Sequence, residues 1–330
     1  MRTVVLFNNK GGVGKTSLVY HLAWMYADLG VSVLAADFDP QANLSAMFLR
    51  EERLEQLWPD GEHPDTVLGS VGPILRGLGD ICSPHVERVS ERLGLLVGDL
   101  GLSEFEAKLS TEWPNCMSRN EAAFRAISAF HRMLADAAGQ QRADLVLIDV
   151  GPNLGAINRS AIIAANFVVV PLAADLFSLQ GLRNLGPSLQ TWRRDWKDRL
   201  DRRPSDPSLL LPAGDMQPIG YVVLQHAVRL DRPVRAYEKW MKRIPPTYLS
   251  EVLSDARSPA PSIDRDPNCL ATLKNYRSLM PLAQDALKPM FHLKAGDGAL
   301  GGHLNAVQEC FKDFRKLARS VAQKCDVKVP

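Results

Sequence analysis

The most informative segment of this sequence is Lys10-Gly11-Gly12-Val13-Gly14-Lys15-Thr16-Ser17. It follows an unbroken apolar run at residues 3–7, which is typical of a strand buried on both faces of a parallel sheet. After it, apolar residues recur at helical spacing over residues 17–29 and end before Gly30, a predicted helix C-cap. A second apolar run at residues 31–36 completes a strand–helix–strand unit. A glycine-rich turn in this position predicts a loop that binds phosphate groups.

The residue types in this loop predict a site for MgATP. Glycines allow backbone N–H groups to point toward the phosphates, and the N-terminus of the following helix adds its positive dipole end. Lys15 is expected to reach the β- and γ-phosphates, and the Thr16 hydroxyl is expected to bind Mg²⁺. The predicted nucleotide contacts are Gly11, Gly12, Val13, Gly14, Lys15, Thr16 and Ser17. The alternative is a glycine-rich turn that binds nothing, and Asn9 stands where the strict Walker A spacing requires glycine.

Three acidic residues complete a predicted metal site. Asp37 and Asp39 stand two residues apart at the end of a predicted strand, so their side chains point to one side, toward the phosphate crevice. Asp149 ends the apolar run at residues 145–149, a pattern like the Walker B strand, and is expected to bind Mg²⁺ through water. The predicted metal ligands are therefore Thr16, Asp37, Asp39 and Asp149. A solvated pair of charges at a strand end is the alternative for Asp37 and Asp39.

The order of the apolar runs predicts an α/β fold. Helical stretches separate the strands, which favours a doubly wound, mostly parallel sheet with helices on both faces. Beyond the first two strands, the predicted strands occupy residues 93–97, 145–149, 167–171 and 219–224. Prolines and glycines interrupt residues 51–92, which we interpret as a surface excursion of short helices. No domain boundary is visible in the sequence, so residues 1–330 are predicted to form a single domain.

The composition excludes several classes of protein. With 46% hydrophobic and 23% charged residues, the 330-residue chain can bury a large core and differs from disordered proteins. The longest apolar run, residues 161–174, is interrupted by Asn166 and Pro171 and is too short to span a bilayer. No signal-peptide pattern is visible, so a cytoplasmic location is expected. The five cysteines are scattered and odd in number, which predicts neither a disulfide framework nor a zinc site.

The loop at residues 10–17 resembles the deviant Walker A signature, K-G-G-x-G-K-[ST], of the ParA/MinD ATPases. This resemblance implies the P-loop NTPase fold, a sandwich dimer that forms face to face around MgATP, and slow hydrolysis. It also implies that Lys10 crosses the dimer interface to the partner's nucleotide, in the manner of an arginine finger supplied in trans. A solvated lysine is the alternative for this residue.

Residues 37–43, DFDPQAN, are similar to the switch I motif D-x-D-P-Q-G-N of this family, with Ala42 in place of glycine. By this resemblance Asp39 orients or activates the attacking water, and Asp37 supports the Mg²⁺ shell. The implied catalytic residues are Lys10, Lys15 and Asp39.

Three further segments resemble parts of the same family. Residues 149–155 are similar to the switch II motif D-x-P-P-x-x-G, except that Gly151 replaces the first proline, which makes this loop more mobile. Residues 171–181 resemble the strand end and helix start that lie near the base and the dimer interface. Gln225 and Pro246 fall where the family closes over adenine, so the resemblance implies that both contact the base.

Basic residues cluster at three places, although the net charge of the chain is only +2. The clusters comprise Arg193, Arg194, Lys197, Arg199, Arg202 and Arg203, then Arg229, Arg232 and Arg235, then Lys239, Lys242 and Arg243. In the resembling family this surface binds DNA without sequence preference, through phosphate contacts that are sensitive to salt. The implied DNA contacts are Arg193, Arg194, Arg229, Arg232 and Arg235. A solvated helix is the alternative for the first cluster, which is interrupted by Asp195, Asp198 and Asp201.

The resemblance therefore implies a homodimeric, ParA-like ATPase that acts in DNA segregation or cargo positioning, associates with the nucleoid and is stimulated by a ParB-like protein. A MinD-like membrane switch is a second hypothesis, based on a predicted helix at residues 303–324. Its apolar stripe comprises Leu304, Val307, Phe311, Phe314, Ala318 and Val321, and its cations are Lys312, Arg315, Lys316, Arg319 and Lys324. Such a helix could bind anionic lipid, but docking on the sheet is the favoured interpretation.

Other kinds of ATPase with this loop type are also considered. A regulator in a defence system, or a switch that acts only on a protein partner, stays open as an alternative. A reductase like the nitrogenase iron protein is disfavoured, because it requires cysteines in the loops after residues 149 and 171 and none stands there. A synthetase like dethiobiotin synthetase would need substrate-binding residues that this sequence does not reveal.

Overall fold

The computed structural model describes residues 1–224, 234–255, 259–276 and 278–330. The strands within these ranges are β1 Arg2–Leu6, β2 Val33–Asp37, β3 Glu87–Ser90, β4 Leu93–Leu96, β5 Leu145–Asp149, β6 Phe167–Ala173, β7 Gln217–Leu224 and β8 Cys269–Leu273. They form one sheet in the order β3-β4-β2-β5-β1-β6-β7-β8, and every neighbouring pair except β3 and β4 is parallel. The predicted α/β, mostly parallel architecture is confirmed, while the single-domain organisation stays a prediction.

Helices cover both faces of this sheet. They are α1 Lys15–Asp28, α2 Asn43–Phe48, α3 Glu51–Leu57, α4 Val67–Leu75, α5 Glu104–Asn115, α6 Glu121–Ile127, α7 Ala129–Gln141, α8 Ala156–Ile163, α9 Leu176–Leu200, α10 Val234–Met241, α11 Ile244–Thr247, α12 Met280–Ala286 and α13 Gly302–Cys325. Apolar residues of α4 to α9 pack on one face, and those of α1, α2, α12 and α13 pack on the other. The arrangement is doubly wound, as the apolar runs predict.

The strand β5 shows why these runs lack polar residues. All five of its residues are buried. Val146 and Ile148 face the layer of α4 to α9, whereas Leu145 and Leu147 face the layer that contains α1 and α13. Successive side chains of a strand point to opposite faces, so a strand covered on both sides needs an apolar residue at every position.

Two strands lie outside the sequence-based assignment. The edge strand β3 pairs antiparallel with β4 and is only partly buried, and it falls within the predicted surface excursion at residues 51–92. The opposite edge strand, β8, is also half-buried, so it lacks the continuous apolar run of a central strand. The excursion contains short helices as expected, yet α4 turns Val67, Val71 and Ile74 into the core. Part of this region is therefore core structure, which corrects the interpretation of it as a surface excursion.

The helix α13 docks on the sheet, as the favoured interpretation of its apolar stripe predicts. Phe314, Leu317 and Val321 are buried, and the Tyr26 hydroxyl of α1 donates a hydrogen bond to the Ala318 carbonyl at 2.7 Å. Leu304, assigned to the stripe from the sequence, is 42% exposed, because it lies on the outer side of the first turn. Within the described ranges, no helix combines the length and the apolar character needed to cross a bilayer.

Three strands bring the predicted site residues to one edge of the sheet. In the registers of β5 with β1 and β2, Asp149 is paired with both Leu6 and Asp37. The loop at residues 7–14 leaves the same edge and leads into α1. Ligands of open α/β sheets bind at the carboxyl ends of the strands, so the fold places the predicted phosphate and metal residues where such a site belongs.

Candidate functional site

The glycine-rich loop has the backbone shape that its sequence predicts. Gly12 and Gly14 have φ of 72° and 79°, in the left-handed region that favours glycine. Gly14 caps α1, and a Cβ atom there would come within 2.7 Å of Leu224 Cδ1. The left-handed conformation at this position therefore favours glycine, and any larger residue would also have to displace the Leu224 side chain.

Lys15 is the first residue of α1 and is only 7% exposed. Its Nζ atom donates to the Lys10 carbonyl at 3.4 Å, so the ammonium group lies inside the curve of the loop. Burial lowers the pKa of Lys15, while the charges of Asp149 and Asp39 act in the opposite direction. The loop thus contains a partly dehydrated cation beside two carboxylates, and a bound phosphate would compensate its charge.

Asp37 and Asp149 are fully buried at the strand ends. One oxygen of Asp37 accepts hydrogen bonds from the Ser45 amide at 2.9 Å and the Ser45 hydroxyl at 2.8 Å. The other oxygen of Asp37 and both oxygens of Asp149 have no hydrogen-bond partner among the described residues. Burial raises the pKa of Asp37 to about 7, and the charge of Asp39 adds to this shift. Burial also raises the pKa of Asp149 well above its ordinary value, and the charge of Asp37 acts in the same direction.

These orphaned oxygens fit a magnesium ion. Against the larger effect of burial, the Thr16 hydroxyl and the Lys15 charge act to lower the pKa of Asp149. No group of three or more His, Cys, Asp or Glu in the described part of the chain could bind a metal by itself. Mg²⁺ usually keeps several waters and binds through one or two carboxylates together with substrate phosphates, so a site with few protein ligands suits it. The ligand set of Thr16, Asp37, Asp39 and Asp149 stays a prediction.

Asp39 belongs to residues 37–43, which resemble switch I, and lies close to residues 149–155, which resemble switch II. Its Oδ1 atom accepts a hydrogen bond from the Gln41 amide at 3.0 Å, and the side chain is 8% exposed. A Cβ atom on Gly151 would lie 3.3 Å from this same oxygen. The glycine that departs from the switch II motif therefore lets the loop after β5 approach the Asp39 carboxylate closely.

Lys10 is bound within its own protomer. Its ammonium group forms an ion pair with Asp175, the residue that caps α9, and lies 5.9 Å from the centre of the Phe177 ring. Although burial raises the pKa of Asp175, the Lys10 ammonium and the Ser178 amide bring it below its ordinary value. The sequence analysis assigned no role to Asp175, although the spacing Asp175-x-x-Ser178 is a signal for a helix N-cap.

Two cavities adjoin the loop. The larger, of about 700 Å³, extends from Gly11 and Thr16 to α2 and α12. The smaller, of about 260 Å³, is mostly apolar and is lined by Gly12, Gly14, Leu224, Leu273, Tyr276 and Phe314, among others. Its position beside the loop and its apolar walls suit a nucleotide base.

The structure describes one of the two predicted adenine contacts, and both assignments stay predictions. Pro246 lies in α11, which packs against α9, and is not one of the described residues that line either cavity. Gln225 lies outside the described residues. The walls of the smaller cavity come from the ends of β7 and β8 and from α13, which are distant in sequence.

The two predicted DNA contacts of α9, Arg193 and Arg194, interact with other groups of the protein. Arg193 donates to the carbonyls of Asp215 and Met216 at 3.1 and 2.8 Å, and burial lowers its pKa. Arg194 pairs with Asp195 at 3.2 Å. Arg199 is buried and lies 3.9 Å from the centre of the Trp113 ring. Of the remaining predicted contacts, Arg229 and Arg232 lie outside the described residues, and Arg235 lies in α10.

Comparison with known proteins agrees with this site. The model of a family described as "AAA domain" matches residues 1–202, more than half of the chain. The chain belongs to the ParA/MinD family of ATPases. It is 30% identical to the cell division protein PomZ of Myxococcus xanthus over 61% of this chain and 55% of that protein. It is also 30% identical to the chromosome-partitioning ATPase Soj of Thermus thermophilus, over 61% of this chain and 66% of Soj.

A solved structure shares the fold of this ATPase family member over nearly its whole length. The crystal structure of a protein from Corynebacterium diphtheriae matches with a TM-score of 0.72 and 23% identity, covering 98% of each chain. The alignments with the curated relatives are shorter and span about half to two thirds of those proteins. The family is one of nucleotide-hydrolysing P-loop proteins, which agrees with the loop, the buried lysine and the carboxylates described above.

Proposed function

We propose that this protein is a MgATP-dependent switch that forms a face-to-face homodimer around the nucleotide and hydrolyses it slowly. The ATP-bound dimer binds DNA without sequence preference, and a ParB-like partner stimulates turnover, for DNA segregation or cargo positioning. Its location is cytoplasmic, in association with the nucleoid. The names of two relatives, a cell division protein and a chromosome-partitioning ATPase, support this class of process.

The observation that carries the proposal is the buried Asp149 carboxylate, whose two oxygens lack partners among the described residues. Removing an ion from water costs several kcal/mol unless other charges or hydrogen bonds compensate. Thr16 and Asp149 are the residues that would bind Mg²⁺, which supplies neutralisation of the β- and γ-phosphate charge. Lys15 adds a second positive charge on the same phosphates, and Asp39, fixed by the Gln41 amide, orients the attacking water.

The surroundings of the site support dimerisation. Leu154 follows β5 and is 38% exposed, while Leu176 and Phe177 begin α9 and are 49% and 70% exposed. All three lie after strands whose carboxyl ends form the nucleotide edge of the sheet. Exposed apolar residues grouped on one side of a protein are typical of an interaction surface. A second copy would cover them, and it would bring its own Lys10 to this nucleotide.

The proposal is tested with the variants Asp39→Ala and Lys10→Ala. Asp39→Ala should bind MgATP and accumulate as a dimer, while its turnover falls by about 100-fold or more because the water is no longer oriented. Lys10→Ala should bind nucleotide but stay monomeric. Light scattering after size-exclusion chromatography measures the mass of each variant with ATP, and phosphate release measures turnover. A wild-type rate in Asp39→Ala, or an ATP-dependent dimer of Lys10→Ala, would contradict the proposed mechanism.

A further inference from the structure

The outer side of α13 carries a group of four exposed cations, Lys312, Arg315, Lys316 and Arg319. At 3.6 residues per turn, these positions fall within an arc of about 100° and within about 10 Å along the helix axis. The opposite side of the helix, with Cys310, Phe314, Leu317 and Val321, is buried against the sheet. We call the four residues the α13 basic face.

The acids of α13, and Asp326 directly after the helix, are engaged with other residues. Glu309 pairs with Lys274 at 3.0 Å, Asp313 accepts a hydrogen bond from the Tyr276 hydroxyl, and Asp326 pairs with Arg2 at 3.4 Å. In the part of the chain that the structure describes, none of the four cations of the α13 basic face forms a hydrogen bond or an ion pair. No carboxylate among the described residues therefore pairs with these four cations, whereas Arg194 of α9 pairs with Asp195.

We propose that the α13 basic face binds the phosphate backbone of double-stranded DNA. The inference rests on the proposed function, which includes DNA binding, and assigns that binding to α13 instead of α9. It thereby names a contact surface that is separate from the nucleotide site.

The chemistry of the α13 basic face suits a duplex. A duplex carries one negative charge per about 1.7 Å of its axis. The four cations span about 10 Å along α13, a length of duplex that carries about six phosphates. Exposed, flexible Lys and Arg side chains contact phosphates without reading bases, which gives binding without sequence preference. Arg315 and Arg319, four residues apart, lie on neighbouring turns and can reach successive phosphates.

A membrane suits this surface less well. An interfacial helix inserts its apolar side into the lipid, with its cations flanking that side. In α13 the apolar side is occupied by the sheet, because Val307, Phe314 and Val321 are buried. The outer side offers charge but few apolar groups, so a soluble polyanion is the better match.

The nucleotide site and the α13 basic face meet at one turn of helix. Phe314, which stands between Lys312 and Arg315, lines the apolar cavity next to Gly12 and Gly14. The same turn therefore lines a cavity beside the phosphate loop on its inner side and presents cations on its outer side. This proximity gives a route by which an occupied nucleotide site can affect DNA binding.

The test compares two variants that each lose four positive charges. One replaces Lys312, Arg315, Lys316 and Arg319 with glutamine. The matched control replaces four exposed cations in or just after α9 with glutamine: Arg194, Lys197, Arg202 and Arg203. Unfolding midpoints and ATP turnover verify that both variants keep the fold and the nucleotide site. Binding to two unrelated duplexes with MgATP is then measured between about 50 and 200 mM salt.

For the α13 variant, the slope of log K against log salt should lose about 3 to 4 units, since each phosphate contact contributes about 0.9. Its affinity at the lower salt concentration should fall by at least about 100-fold, whereas the α9 variant should stay near wild type. An unchanged slope in the α13 variant, or an equal loss in the α9 variant, overturns the assignment while DNA binding itself stands. A wild-type protein that binds neither duplex at low salt contradicts the DNA part of the proposed function.

Vesicles of phosphatidylcholine and phosphatidylserine provide the remaining arm of the test. The wild-type protein should not sediment with them in the presence of MgATP. If it does so, and the α13 variant loses vesicle binding while its DNA affinity is unchanged, the surface binds lipid and the proposal is wrong.

Discussion

The phosphate loop and the α13 basic face are two surfaces that we assign to phosphate groups, and they are built differently. The loop uses backbone N–H groups, two glycines in left-handed conformations and one lysine that is 7% exposed. The α13 basic face uses only long, exposed side chains. A buried, preorganised site gains much from each contact, because little reorganisation is needed when the ligand binds. An exposed site gains little from each contact and depends on counterion release.

Charge compensation also separates the two surfaces. Around the loop, Lys15 lies with Asp39 and Asp149, so the site contains both signs of charge and is incomplete without a ligand. On α13, Glu309 pairs with Lys274, Asp326 after the helix pairs with Arg2, and the outer side presents four exposed cations. The difference teaches that the number of basic residues does not locate a phosphate site. The burial of each cation, and the groups with which it pairs, show where a phosphate can bind.

The largest effect is expected from Lys15→Ala. Loss of the buried ammonium leaves the phosphate charge uncompensated, so affinity for MgATP should fall by about 100-fold or more. The matched change on the exposed surface, Lys316→Ala, should leave MgATP affinity unchanged. Equilibrium binding of a fluorescent ATP analogue measures both. Equal affinities for Lys15→Ala and wild type would remove the main difference between the two surfaces.

The buried carboxylates of the nucleotide site should contribute a pH dependence of stability that the α13 basic face does not. The pKa of Asp37 is about 7 in the folded protein and 3.8 ordinarily. Between these values the folded state binds a proton at Asp37 that the unfolded state has lost, so the contribution of Asp37 to the free energy of unfolding should fall as pH rises from about 4 to 7. Thermal unfolding of nucleotide-free and metal-free protein measures this trend.

Asp37→Asn isolates that contribution, because the melting temperature of wild type relative to this variant should fall as pH rises over the same range. Arg315→Gln on α13 should follow the wild-type curve. A curve for Asp37→Asn that parallels wild type would show that this carboxyl does not titrate in that window.

The smallest expected effect comes from changing the size of one side chain on each surface, because a buried site should tolerate such a change less well than an exposed one. A Cβ atom at residue 151 would lie 3.3 Å from Asp39 Oδ1, so Gly151→Ala should shift the carboxylate by a few tenths of an ångström. Turnover should fall a few-fold while MgATP affinity stays constant, because the phosphate loop is untouched.

The matched change on the α13 basic face is Lys316→Arg, which alters the side chain more but should leave the affinity for duplex DNA unchanged. Phosphate release and duplex titration measure the two results, and a wild-type rate for Gly151→Ala would show that this approach is not critical.

Local patterns in the sequence were enough to predict the central strands of the sheet. β1, β2 and β5 are continuous apolar runs that end at the loop, at Asp37 and at Asp149, and the sheet brings those ends together. The edge strands β3 and β8 were missed because a half-buried strand needs few apolar residues. Their pairing is determined by distant parts of the chain.

Long-range contacts also explain what the sequence could not reveal about the site. Ser45 binds Asp37, and Asp175 binds Lys10 from 165 positions away. The α9 arginines form a basic cluster in the sequence, but only the structure shows that Arg193 and Arg199 donate to nearby carbonyls. The walls of the apolar cavity likewise come from segments that are distant in sequence, among them the phosphate loop, the ends of β7 and β8, and α13.

The contact between Lys10 and Asp175 has a consequence for reversibility. If Lys10 reaches the partner's nucleotide in the dimer, each protomer exchanges an internal ionic contact for an intermolecular one. The association free energy then includes only the difference in free energy between these two contacts, and not the whole free energy of the contact between Lys10 and the partner's nucleotide. Once the γ-phosphate has left, Asp175 again offers Lys10 a partner within its own chain, and the internal pair competes directly with the dimer. Such competition favours rapid separation, so each cycle can return to monomers without an external separating factor.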